Sequence, residues 1–136
     1  MVDTVSSRRR SEIMARVRAR DTGPELVVRR LVYSMGYRYR LHDRSLPGTP
    51  DLVFRRMHKL IFVHGCFWHR HTGCALARWP KSHTSFWRKK LLANKERDRL
   101  NLRRLRRDGW SVLVVWECQL EKPLPLRKRL GGFLHA

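Results

Sequence analysis

The apolar positions near the start of the chain predict two helices in succession. A basic stretch over residues 8–20 carries three apolar residues at helical spacing, namely Ile13, Met14 and Val17. A second helix is predicted to begin at residues 21–24, because Asp-Thr-Gly-Pro supplies a capping oxygen and a proline for the first turn. Gly36 marks its end. The buried face of this helix is predicted by apolar residues at i, i+3, i+4 and i+7: Val28, Leu31, Val32 and Met35.

Three strands are predicted next. Residues 37–41 alternate between apolar and polar, residues 51–54 are mostly apolar, and residues 59–64 are apolar almost throughout. Turn-forming residues over 47–50 and 55–58 separate these runs, so the last two strands form a hairpin. Because residues 59–64 have apolar side chains on both faces, this strand is expected at the centre of the sheet.

The second half of the chain predicts one long helix and one more strand. Residues 65–82 are rich in His, Cys, Gly and Trp without a regular period, which indicates an irregular loop. A helix with a strongly basic face is predicted from about 84 to 107, where Asp108-Gly109 ends it. The apolar run 111–116 predicts a buried strand. This order of elements is typical of a mixed α/β fold, in which helices flank one small sheet.

The chain length of 136 residues fits a single domain. We divide it into a basic N-terminal arm (1–20), a core (21–118) and a C-terminal tail (119–136) with two prolines and a short helical piece. No apolar run approaches the 18 residues of a membrane span, and no signal peptide is visible. Three cysteines are an odd number for a disulfide scaffold, so we expect a reducing, intracellular compartment.

The charge of the chain indicates a polyanionic partner. Lys and Arg number 31 against 11 Asp and Glu, which gives a formal net charge of +20. Nucleic acid is the expected partner, and an anionic membrane surface is the weaker alternative. A hydrophobic content of 42% excludes a wholly disordered basic tail. Charge alone separates neither DNA from RNA nor an enzyme from a passive binder.

The three cysteines indicate a zinc site. Together with one histidine they form a Cys3His set, which is typical of a closed, structural site without an open position for catalysis. Such a site would fix the irregular loop to the end of the last strand. His64 and His69 compete for the histidine position, and three unrelated buried thiols are the alternative interpretation. The candidate ligands are Cys66, His71, Cys74 and Cys118.

Carboxylates and histidines form a second candidate site. Pro50-Asp51 resembles the front half of the PD-(D/E)xK nuclease pattern, in which carboxylates hold Mg²⁺ at a phosphate. The second half is missing, since Val63 and His64 stand at its place, but Glu25 can replace the lost carboxylate. His64 and His69 can take a proton from water near neutral pH. Turn chemistry, helix-dipole placement and loop hydrogen bonds are the ordinary alternatives for these residues.

Large aromatic residues stand beside basic ones. Phe67 and Trp68 lie in the irregular loop, and Phe86-Trp87 opens the long basic helix. Exposed aromatic residues in such places suit stacking on bases or insertion between base pairs. We expect Phe67, Trp68 and Trp87 to face nucleic acid and Phe86 to pack in the core.

Five motifs occur together in one known family. They are Ser45-Leu46-Pro47-Gly48-Thr49-Pro50-Asp51, Ile61-Phe62-Val63-His64-Gly65-Cys66-Phe67-Trp68-His69, Phe86-Trp87, Asn94-x-x-Arg97-Asp98 and Gly109-Trp110-x-Val112-Leu113-x-Val115-Trp116-Glu117-Cys118. With them the chain resembles the very-short-patch-repair (Vsr) mismatch endonucleases of bacteria, from about Ser11 to Cys118. The resemblance implies a restriction-endonuclease-like fold and a nick in one strand of duplex DNA. The nick lies 5′ to the thymine of a T:G mismatch, which arises when 5-methylcytosine deaminates.

The resemblance also implies partners and residue roles. It implies Mg²⁺ for catalysis, Zn²⁺ for structure, double-stranded DNA as partner, no membrane, and a cytoplasmic, nucleoid-associated protein. A monomer is expected because a single nick needs one active site. Asp51 and the backbone carbonyl of Val63 would hold Mg²⁺, His69 would be the general base, and Glu25 and His64 would support the hydrated metal. The implied zinc ligands are Cys66, His71, Cys74 and Cys118; the implied DNA contacts are Phe67, Trp68, Trp87, Met14, Lys90 and Asn94.

The chain departs from the family pattern in its loop and its tail. Val63 stands where a threonine is expected, and the loop before Cys74 is one residue longer, with Thr72-Gly73. The C-terminal tail is short, so the flanking bases that the protein reads stay open. Two alternative functions are a sequence-specific endonuclease that cuts matched DNA and a zinc-stabilised DNA binder without activity.

Overall fold

A four-stranded sheet forms the middle of the protein in the computed structural model, which describes residues 22–135. The strands lie in chain order: β1 (Arg40–Leu41), β2 (Leu52–Phe54), β3 (Lys59–His64) and β4 (Ser111–Trp116). The helices of the described chain are α1 (Gly23–Ser34), α2 (Thr84–Arg107) and α3 (Pro123–His135), with short 3-10 helices at Ala75–Ala77 and Glu117–Glu121. The predicted arm and Met14 lie outside the described residues.

The central position predicted for residues 59–64 is confirmed. β3 pairs antiparallel with β2 through the predicted hairpin and parallel with β4, so it has a partner on each side. The prediction of a strand over residues 37–41 was too long. Only Arg40 and Leu41 pair with β2, opposite Val53 and Leu52, and Tyr39 meets the next β2 residue, Phe54, through an edge-on ring contact instead.

Side chains that alternate along the strands build a core on each face of the sheet. On one face, strand residues pack with α1 and α3; on the other, they pack with α2. The protein therefore has three layers with the sheet in the middle. The first core contains Leu52, Phe54, Ile61, Leu113 and Val115 from the strands, and the second contains Val53, Leu60 and Phe62.

The C-terminal segment belongs to the core, which corrects the division into a core and a tail. α3 buries three leucines at i, i+4 and i+8 against the sheet: Leu126, Leu130 and Leu134. The buried Lys59 of β3 donates to the Phe133 carbonyl at 2.7 Å, near the end of α3, where a cation is favoured. Among residues 22–135, none of the helices combines the length and apolar character needed to cross a membrane.

Candidate active site

A cleft of about 570 Å³ opens where the end of β3 meets α1, α2 and the loop before β2. Four of the eight acidic residues within the described range 22–135 line this cleft, although the net charge of the chain is +20. A local concentration of carboxylates in so basic a protein favours a cation at this place. The four are Glu25, Asp51, Asp98 and Glu117.

The buried Glu25 and the partly buried Asp51 form a carboxylate pair in the cleft. The Val63 N–H donates to Asp51 Oδ2 at 2.7 Å, which ties the residue before β2 to the end of β3. Burial raises the pKa of Asp51 to about 7. The nearby Glu25 charge also raises this pKa, whereas the hydrogen bond from Val63 lowers it. Glu25 lies in the first turn of α1, where the side chain of Thr22 accepts from its N–H.

Two neighbours hold the Glu25 carboxylate. Arg29, one turn further along α1, donates to Oε2 at 3.1 Å. His42 Nε2 lies 2.8 Å from both Oε1 and Oε2. His42 follows β1, and its N–H donates to the Asp51 carbonyl at 3.2 Å, so the pairing of β1 with β2 brings it to the cleft.

The pair His64 and His69 lies beside these carboxylates. Their rings stack with centroids 3.8 Å apart, and His69 Nδ1 hydrogen-bonds to Asp98 of α2. Burial, reinforced by His69, lowers the pKa of His64 to about 2, so its ring is neutral at neutral pH. The bond to Asp98 places the His69 proton on Nδ1 and leaves Nε2 as an acceptor.

The donors around Asp51 fit a divalent cation such as Mg²⁺. Carboxylate and carbonyl oxygens are the ligands that Mg²⁺ prefers. Val63 lines the cleft, and its carbonyl points to the same side of β3 as its N–H, which is bonded to Asp51. When Asp51 and Glu25 are both ionised, two negative charges lie largely out of water. A bound cation would offset the free-energy cost of this desolvation.

A separate cluster contains all three cysteines and His71. His71 Nδ1 lies 3.4 Å from Cys118 Sγ and 3.6 Å from Cys66 Sγ, and the four donor atoms all lie within 4.8 Å of one another. The bond lengths of tetrahedral zinc place sulfur and nitrogen ligands about 3.6 Å apart, so this set fits zinc. Burial raises the pKa of the Cys66 thiol to about 12 and raises that of Cys118, whereas the Leu76 N–H lowers the pKa of Cys74.

The three competing histidines separate in space. His71 stacks on Trp116 at 4.2 Å among the cysteines, whereas His64 and His69 belong to the cleft. The loop turns at Gly73, whose φ of +74° favours glycine.

Comparison with known proteins places the chain in a family. Residues 2–76, which include Glu25, Asp51 and all three histidines that line the cleft, match the family model of the DNA mismatch endonuclease Vsr. The chain belongs to the Vsr family. The type II nicking enzyme V.XorIIP of Xanthomonas oryzae pv. oryzae is 46% identical over 134 residues, which cover 98% of both chains.

Two further relatives agree with this assignment. The type II nicking enzyme V.NmeAIP of Neisseria meningitidis is 39% identical over 96% of this chain and 93% of its own. The DNA mismatch endonuclease Vsr of Escherichia coli is 43% identical over 88% of this chain and 76% of its own. This member of the Vsr family is therefore a hydrolase, an endonuclease that acts on DNA.

The aromatic residues of this Vsr-family protein correct two expectations. Phe86, predicted to lie in the core, is 58% exposed, whereas Trp87, predicted to face DNA, is 3% exposed. Trp87 lies on the inward face of α2 in phase with Leu91, and Phe86 is about 100° away. Phe67 and Trp68 are half-buried, line the cleft and pack edge-on or tilted against Trp87.

The structure brings some of the predicted DNA contacts to the cleft and not others. Asn94 of α2 lines the cleft, whereas Lys90 lies beside Phe86, with Nζ 5.8 Å from the ring centre. Sequence reasoning missed Asp98 and His42 as site residues. The sequence could have indicated Asp98 as a site residue, because it is an acid eleven positions after Trp87 on the inward face of α2. The sequence around His42 contains no pattern that marks it as a site residue.

Proposed function

We propose that this protein is a Mg²⁺-dependent endonuclease that nicks one DNA strand 5′ to the thymine of a T:G mismatch and so begins very short patch repair. The observation that carries the proposal is one cleft that combines the Asp51–Glu25 pair with the His64–His69–Asp98 array. Relatives named as a mismatch endonuclease and as nicking enzymes support it. A single cleft of this kind suits a monomer that cuts one strand.

Asp51, Glu25 and the Val63 carbonyl would hold the metal, as in a PD-(D/E)xK-type core whose second acid comes from α1. Bound Mg²⁺ would neutralise charge on the scissile phosphate and acidify its bound water. The neutral His64 ring, 5% exposed and with Nδ1 unpartnered among the described residues, can hydrogen-bond to water or phosphate in the cleft.

His69 acts as the general base in this proposal. Asp98 keeps the proton on Nδ1, so Nε2 takes the proton from the attacking water. The water oxygen bonds to phosphorus in line with the bond that breaks, the P–O3′ bond. The leaving oxygen takes up a proton, and the products carry a 5′-phosphate and a 3′-hydroxyl.

Aromatic side chains provide the selectivity for the mismatch. A T:G wobble pair stacks less well than a matched pair, so it costs less to unstack. Phe67 and Trp68 stand at the cleft on the buried Trp87, which supports them as a wedge. The zinc that we propose at the cysteine cluster would fix the loop that carries both residues, because Cys66 and His71 flank them.

Strand-specific nicking tests the proposed function. A duplex labelled at one 5′ end, with a single T:G pair in varied flanks, is compared with its T:A counterpart in Mg²⁺. We expect nicking only 5′ to the mismatched thymine, and only with the divalent metal. Equal cutting of both duplexes would indicate a restriction-type nuclease, and tight binding without cutting in any flank would indicate a passive binder.

Substitution of His69 by Ala is expected to lower the nicking rate by about 10²–10⁴-fold, the usual contribution of a general base. Asp98→Asn should lower it less, because the ring stays in place while its proton is no longer held on Nδ1. Single-turnover nicking with saturating mismatched duplex measures both. His58→Ala, which removes an imidazole that stacks on Trp110 away from the cleft, is the matched control. A wild-type rate for His69→Ala would refute the base assignment.

Substitution of Trp68 by Ala is expected to reduce the preference for T:G over T:A about tenfold or more, from the loss of one stacking contact. Overall affinity for duplex should change less, since phosphate contacts dominate it. Competition binding with both duplexes measures the two effects. Trp79→Ala removes another tryptophan, 40% exposed and not in the cleft, and serves as control. An unchanged preference would remove Trp68 from the wedge.

A further inference from the structure

His42 is a nitrogen donor in the cleft that the proposed mechanism does not use. Its side chain is 9% exposed, although the residue lies in a short loop directly after β1. Its φ of +48° is left-handed, a conformation that non-glycine residues adopt rarely. The hydrogen bond from its N–H to the Asp51 carbonyl holds this conformation and turns the residue into the site.

The spacing of the donor atoms suits a shared metal ion. His42 Nε2 lies 2.8 Å from both Glu25 oxygens, and one donor atom each of Glu25, His42 and Asp51 falls within 4.8 Å of the others. Adjacent ligands on an ion with bonds of about 2.1 Å are about 3 Å apart, and opposite ligands are about 4.2 Å apart. A cation could therefore replace the proton that Nε2 now shares with Glu25.

The composition of this donor set selects among metals. Mg²⁺ favours oxygen ligands and keeps its waters, whereas imidazole suits transition metals. Two carboxylates and one neutral imidazole carry a charge of −2, which a divalent ion balances. A nitrogen donor at this position would favour Mn²⁺ over Mg²⁺ in the same cleft.

We infer that His42 ligates the catalytic cation through Nε2, together with Glu25 and Asp51, and that the site binds Mn²⁺ more tightly than Mg²⁺. The inference rests on the proposed metal dependence of the enzyme and adds a ligand and a metal preference to it. His42→Gln is the decisive variant, because a glutamine amide can still donate to Glu25 but offers no imidazole nitrogen. His58→Gln makes the same exchange away from the cleft.

Two measurements on the whole chain test the inference. Pulsed electron paramagnetic resonance of the Mn²⁺-loaded protein detects a directly bonded ¹⁴N, and calorimetric titration gives the affinities for Mn²⁺ and Mg²⁺. We expect an imidazole ¹⁴N coupling in the wild type and in His58→Gln that disappears in His42→Gln. We also expect His42→Gln to weaken Mn²⁺ binding about tenfold or more and Mg²⁺ binding much less.

The outcomes separate this inference from the proposed function. Mn²⁺ that binds and supports nicking, but shows no ¹⁴N coupling or keeps it in His42→Gln, would overturn the inference alone. His42 would then only donate a hydrogen bond to Glu25, and a retained nitrogen signal would come from another histidine. If neither Mn²⁺ nor Mg²⁺ binds and nicking needs no metal, both the inference and the proposed metal dependence fail.

Discussion

Asp51→Asn is expected to lower the rate of nicking at least about a thousandfold while the mismatched duplex still binds. The metal contributes several kcal/mol of charge stabilisation in phosphodiester hydrolysis, and each 1.4 kcal/mol is tenfold in rate. The amide keeps the shape of the side chain but loses the charge that would hold the ion. Removal of a negative charge beside the phosphate should leave affinity equal or slightly higher in metal-free buffer.

Nicking of labelled T:G duplex under single-turnover conditions, with binding measured in parallel, checks this expectation. Asp108→Asn makes the same exchange at an exposed residue at the end of α2 and should behave as the wild type. Retention of nicking in Asp51→Asn would contradict the assignment of Asp51 as a metal ligand. Equal loss of binding and nicking would instead indicate a misfolded cleft.

The same substitution is expected to stabilise the metal-free protein. Asp51 ionises near its ordinary value of 3.8 in the unfolded chain but near pH 7 in the fold. The fold therefore binds the proton more tightly, and stability falls as the pH rises from about 4 to about 7, by at most about 4 kcal/mol. Asp51→Asn should thus raise Tm by several degrees at pH 8 without Mg²⁺, and by less at pH 5. A difference in Tm that does not grow with pH would contradict the raised pKa.

Cys118→Ser is expected to release zinc and lower Tm by at least about 10 °C. The free energy of structural zinc binding is part of the free energy of folding, and this site joins the loop after β3 to the end of β4. Nicking should be lost as well, because His69 and the aromatic wedge lie between Cys66 and His71. Zinc content by elemental analysis and thermal unfolding measure the two effects.

Thr72→Ala is the matched control for the zinc ligands. Thr72 is exposed in the same loop and supplies no donor to the cluster, so zinc content and Tm should be unchanged. A full equivalent of zinc in Cys118→Ser would place the metal elsewhere. An unchanged Tm in the zinc-free variant would remove the structural role that we propose for the site.

The helical period of α2 shows which side chains could have been assigned to its inward face from the sequence. The predicted bounds of the helix, about 84 to 107, agree with Thr84–Arg107, and its helical period also sorts the aromatic residues into two faces. Trp87, Leu91, Asp98 and Leu105 follow one another at helical intervals on the inward side, and Phe86 does not. The periodicity therefore held enough information to bury Trp87, expose Phe86 and mark Asp98 as an acid that points inward.

The C-terminal helix is a similar case. Pro123 and Pro125 made the segment resemble a tail, but proline is tolerated in the first turn of a helix. Leu126, Leu130 and Leu134 recur every four residues after them, which is the pattern of a buried face. The sequence therefore predicts a helix here with one buried face, and only its packing against the sheet needed the structure.

The sequence by itself determined α1, α2, the strands β2 to β4 and the basic charge, and it supplied the residue types from which both candidate sites are proposed, because periodicity and composition act locally. The tertiary structure alone decided which partner each histidine meets. His64, His69 and His71 lie within eight residues, yet one is buried in the cleft, one meets Asp98 and one meets Cys118. His42 reaches Glu25 only because β1 pairs with β2. These contacts join residues that are 17 to 47 positions apart, and packing of the elements, not the local pattern, sets such distances.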